Sequence, residues 1–74
     1  MDFRKGDIVE LWISSTALRA EVQSVGENDI YLIVTGRKNI SDASAEWEPV
    51  TYKKKLTMFE MYVYCQAVKR GVRA

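Results

Sequence analysis

The stretch DIVELWISSTALRAEVQSVGENDIYLIVT, residues 7–35, decides the fold. Apolar and β-branched residues recur through it at every second position, and polar turn residues interrupt it twice. That is the pattern of strands with one buried face. Over residues 7–13, Val9, Leu11 and Ile13 share one face, while Ile8, Glu10 and Trp12 share the other. Ser14 and Ser15 read as a tight turn. Over residues 16–25 the alternation is cleaner, with Leu18, Ala20 and Val22 directed inward and Arg19, Glu21 and Gln23 outward. Gly26 tolerates a positive φ, and Asn28 and Asp29 close a reversal through side-chain hydrogen bonds, so residues 26–29 lead into a third strand over residues 30–35. The expectation is three antiparallel strands around a core of Val9, Leu11, Leu18, Ala20, Val22, Leu32 and Val34.

Beyond Gly36 the alternation lapses. Residues 36–47 are rich in Ser, Asp, Ala and Asn and read as a loop, long for a compact domain. Pro49 is compatible with a strand only at its start or on an edge, which makes residues 50–53 a short edge strand. The segment after it carries two periods at once. Thr57 and Glu60 have the spacing of a capping box, basic residues Lys69 and Arg70 lie where a last turn belongs, and Gly71 follows, all of which predict a helix over residues 57–70. Phe59, Met61, Val63, Cys65 and Ala67 alternate as a strand would. Length decides for the helix, since the segment exceeds an ordinary strand.

At helical spacing this segment has two apolar stripes: Met58, Met61, Cys65 and Val68 form one, and Leu56, Phe59, Val63 and Ala67 the other. A small sheet covers one stripe. The other is left for a partner, either a second copy or a different protein, and Leu56, Phe59 and Val63 are its expected contacts, with Trp12 as a further exposed aromatic.

The chain has 74 residues, one domain's worth, and a domain of this size buries only about 60% of its unfolded surface. A deep internal cofactor cavity is therefore not expected, and function falls to the surface. With 47% hydrophobic and 28% charged residues the chain belongs to the folded rather than the disordered class. A single cysteine, Cys65, excludes an internal disulfide framework and fits a reducing compartment. No apolar run approaches a membrane span, and residues 1–7 lack a signal-peptide core, so a cytoplasmic location is expected. Net charge is +1, but it is segregated: residues 1–48 carry −4 and residues 49–74 carry +5. Asymmetry of this kind points to an anionic partner for the basic part.

The runs Phe3-Arg4-Lys5-Gly6-Asp7-Ile8-Val9-Glu10-Leu11 and Ala20-Glu21-Val22-Gln23-Ser24-Val25 resemble the opening of SH3-like small barrels of the KOW and Tudor type, in which a Gly-Asp turn launches the first strand. The resemblance covers residues 3–35. It implies a mainly β fold, a small antiparallel barrel or curled sheet, here with a C-terminal α-helix. It also implies a binding rather than catalytic role, toward peptides, nucleic acid or other domains, and such stand-alone barrels look like bacterial or phage accessory proteins. The chain departs from the pattern in its 36–47 loop and its C-terminal helix, and it shows no aromatic cage for a modified lysine.

Catalytic chemistry finds no support in the residue types. There is no histidine, the acids form no pair that can be placed in a cleft, and Cys65 sits among apolar residues without a base. No spacing of Cys, Asp or Glu suggests a metal, and no glycine-rich loop suggests a nucleotide. No cofactor is expected. Two readings remain: a small adaptor, inhibitor or regulatory module that binds protein, and a sequence-tolerant nucleic-acid binder using Lys53, Lys54, Lys55, Arg37 and Lys38 with Tyr52 as an aromatic platform. The near-neutral charge balance favours the first.

Overall fold

The computed structural model describes residues 2–70. Its elements are β1 (Ile8–Ile13), β2 (Thr16–Val25), β3 (Asp29–Asn39), β4 (Glu48–Thr57), α1 (Met58–Tyr64) and β5 (Cys65–Lys69). All five strands are antiparallel and form one unclosed sheet in the order β4-β3-β2-β1-β5. The fold is thus mainly β with a short helix near the C-terminus, as the alternation predicts.

β1 and β2 pair from Ile8 opposite Glu21 to Ile13 opposite Thr16, which puts Val9 beside Ala20 and Leu11 beside Leu18 on one face. Every residue of the expected core is buried, and Phe3, Ile30, Leu56 and Met61 join it. Gly6, at φ 93°, uses the left-handed conformation that glycine tolerates to direct the chain into β1. Its N–H donates to the Val22 carbonyl at 2.8 Å, and the Val22 N–H donates to the Asp7 carbonyl at 2.8 Å.

Gly36 does not end β3. Irregularities in register between Arg19 and Ala20 and between Val34 and Gly36 absorb it, and pairing continues to Asn39. β4 is correspondingly longer than the expected residues 50–53, and Pro49 lies near its start on an edge strand, where a missing N–H is tolerated. Irregular structure shrinks to residues 40–47, part of which is ordered from within. Asn39 Oδ1 accepts from the Ser41 N–H at 3.0 Å and its hydroxyl at 2.7 Å, and Asp42 Oδ1 accepts from the Ser44 N–H at 3.0 Å and its hydroxyl at 2.8 Å. These bonds hold the Asp42 carboxyl below its usual range.

The helix expected over residues 57–70 is corrected: α1 stops at Tyr64, and Cys65–Lys69 forms a strand. Its start is as expected, with the Glu60 N–H donating to Thr57 Oγ1 at 3.0 Å and the Thr57 N–H to Glu60 Oε1 at 2.9 Å. At Cys65 the backbone is already extended, at φ −74° and ψ 124°. From there the chain is extended, but not in the phase that alternation predicts: Cys65 pairs with Leu11 and Val68 with Val9 along the free edge of β1, and a register shift between them leaves Ala67 exposed opposite Glu10. Satisfying that edge and burying Val68 against the sheet outweigh further helix. Gly71, expected just past the helix, lies outside the described residues.

α1 lies against β4, β1 and β3, and its Met61 is fully buried among the core residues. Burying a side chain of this size stabilises the fold by about 1.5–3 kcal/mol. Met58 and Tyr64 pack partly against the same core, so one side of the helix covers the sheet's core face.

Candidate functional site

The other side of α1 faces outward. Phe59 is 75% exposed, Tyr62 53% and Val63 54%. Their i, i+3, i+4 spacing places them on one face of the helix. The capping box fixes the helix start and buried Met61 fixes its rotation, so Phe59 and Val63 are displayed on a seated element. The Tyr62 ring also meets Phe3, with centroids 6.0 Å apart.

Leu56 does not belong to this surface. It is the penultimate residue of β4, pairs with Ile30 and is buried in the core. The helical stripe that joined it to Phe59 and Val63 assumed a helical phase one turn too early. Trp12 is 45% exposed but lies on the face of β1 opposite Leu11, away from the core that receives Met61. It shares no surface with Phe59, and its indole N–H donates to Glu10 Oε2 at 2.8 Å. Tyr62 is the member of the helix face that sequence reasoning missed; the i+3 spacing from Phe59 was the available signal.

A second surface follows β4. Lys53 pairs with Ile33 and Lys55 with Tyr31 on the outer face, whereas Lys54 pairs with Leu32 and Tyr52 with Val34 on the core side. Lys53, Lys54 and Lys55, with Tyr31, Leu32, Ile33, Gln23 and Ser24, line a shallow groove of about 530 Å³. Tyr31 and Tyr52 are both partly exposed, at opposite faces of the sheet.

Arg37 and Lys38, grouped with these lysines in the nucleic-acid reading, lie at the other end of the β3–β4 ladder. Arg37 forms an ion pair with Glu48 at 2.6 Å, and this hydrogen bond raises its pKa further. Lys38 Nζ lies 5.2 Å from the centroid of the Trp47 ring, and the Arg19 guanidinium carbon lies 4.1 Å from it. Trp47 is therefore engaged by cations from two strands and rests against Gly36.

Cys65 is half-buried. Its thiol donates to the Ala67 carbonyl at 3.5 Å, and burial pushes its pKa up, the opposite of an activated nucleophile. Among the described residues no group of three His, Cys, Asp or Glu could hold a metal ion, and no helix is long and apolar enough to cross a membrane. Comparison with known proteins finds no matching family model, no matching curated relative and no matching solved structure.

Proposed function

We propose that this chain is a small non-catalytic protein-binding module, an adaptor, inhibitor or regulatory accessory, that engages its partner through the outer face of α1. The exposure of Phe59 on a helix held by a capping box and a buried methionine carries this reading. A large aromatic ring on a rigid element contributes little to folding and can contribute on the order of 2 kcal/mol or more in a partner's pocket. Val63 extends the same face. The resemblance of residues 3–35 to SH3-like small barrels, whose members mostly bind other molecules, points the same way. The nucleic-acid reading is narrower than the sequence suggested, because Arg37 and Lys38 stand apart from Lys53, Lys54 and Lys55 and are engaged elsewhere.

The test compares the parent chain with Phe59→Ala by light scattering and by affinity capture from a host lysate, with and without nuclease. The reading requires Phe59→Ala to lower the assembly mass or to abolish capture that survives nuclease, with an unchanged circular dichroism spectrum. Capture lost on nuclease treatment and indifferent to Phe59→Ala would support the nucleic-acid reading instead.

A further inference from the structure

β4 forms one margin of the sheet. Its backbone pairs with β3 on one side, and among the described residues no strand and no backbone hydrogen bond from another element covers the other side. A bare edge ten residues long is a template for a further strand. Pro49 offers no N–H and the Thr57 N–H is taken by Glu60 Oε1, which leaves residues 50–56 as the usable ladder.

The lysines on this edge are distributed in a particular way. Lys53 and Lys55 share the outer face with Ile33 and Tyr31, while Lys54 shares the other face with Leu32. Cationic side chains thus project to both faces along a single edge. A strand laid beside β4 also alternates its side chains between the two faces, so successive acidic residues in it meet lysine on each. A second copy of β4 is disfavoured, because it would set lysines against lysines.

We propose that the β4 edge receives an extended acidic segment of a partner protein as a sixth strand of the sheet. This rests on the reading of the chain as a protein-binding module and adds a main-chain contact to the helix-face contact. Specificity would come from the three lysines, and affinity from the ladder itself.

The experiment titrates the full chain, labelled with nitrogen-15, with the capped peptide Val-Thr-Val-Glu-Glu-Glu-Val-Thr-Val. Three further probes are the same peptide with lysines in place of the glutamates, the same peptide with alternate backbone nitrogens methylated in either phase, and an oligothymidylate. The expected result is slowed amide exchange along β4, with binding weakened about tenfold or more by Lys54→Glu as well as by Lys53→Glu, by one phase of N-methylation, and by the lysine peptide. The proposal is overturned by no binding at millimolar peptide, by binding indifferent to N-methylation in both phases or to Lys54→Glu, or by tighter binding of the oligothymidylate than of the acidic peptide. If the acidic peptide leaves β4 untouched while Phe59→Ala still abolishes partner capture, the edge proposal fails and the helix-face reading stands.

Discussion

Asp7 and Arg70, 63 positions apart in the chain, form an ion pair that ties the entry of β1 to the exit of β5. The Asp7 side chain is 3% exposed and also accepts from the Arg4 backbone N–H at 2.9 Å, while the Arg70 side chain is half exposed. Among the described residues, Arg70→Ala leaves the buried carboxylate with a single donor, and its expected cost is about 1–3 kcal/mol. Urea unfolding checks this: an Arg70→Ala midpoint equal to that of the parent would mean that the pair contributes nothing to stability.

Met61 and Val63 lie two residues apart on opposite sides of α1, and their truncations should diverge. Met61→Ala opens a cavity in the core and should cost about 2–5 kcal/mol, a large share of a small domain's stability. Val63→Ala should stay within about 0.5 kcal/mol. Thermal denaturation of the two variants measures both, and equal losses contradict the described seating of the helix.

A side chain at Gly36 would press on the Trp47 ring. A Cβ there would lie 3.3 Å from Trp47 Cε3 and 3.6 Å from the Arg19 Cβ. In a Trp12→Phe background, which isolates the Trp47 signal, Gly36→Val should therefore lift the indole off the sheet, shift its emission to longer wavelength and destabilise the protein by about 1–3 kcal/mol. An unchanged emission maximum would show that Trp47 does not rest on Gly36 in solution.

Cys65 should react late with alkylating reagents as pH rises. Burial disfavours its thiolate, so the midpoint of its reaction profile should lie above the ordinary thiol value of 9.0. A folded-state pKa above the unfolded one contributes stability that is fully present below the unfolded pKa and is lost as pH rises through the folded pKa. Stability should therefore fall in alkali, and this component should vanish in Cys65→Ser. A midpoint at or below the ordinary thiol value contradicts the described burial.

Residues 16–25 were legible in full, because Leu18, Ala20 and Val22 alternate with charged or polar neighbours and turn residues bound both ends. The far end of β3 was not, since Gly36 looks like a terminator and only the register shifts beside it reveal that pairing continues. The extent of β4 was hidden because Lys54 and Tyr52 occupy core-side positions at the sheet margin, where the core gives no further cover and apolar residues are not required. In the last third both periods were present; the helical one holds to Tyr64, and the strand from Cys65 is interrupted by a register shift that no period encodes, so Cys65 and Val68 turn inward and Ala67 does not. At the candidate site, Phe59 and Val63 were legible as surplus apolar residues. Leu56 was misassigned because its fate depends on a cross-strand pairing with Ile30, which helical spacing does not encode.

The placement of β5 beside β1 also sets an order of assembly during synthesis. β1 to β4 are each joined to a sequence neighbour and can pair as successive hairpins while the chain is still emerging. β1 keeps one edge bare until Cys65–Lys69 has been made, and the core lacks Met61 until α1, the element just before it, has been made. The nascent domain therefore passes through a stage in which its first strand and its apolar core face are both open to wrong partners, a hazard that ends only with the arrival of β5.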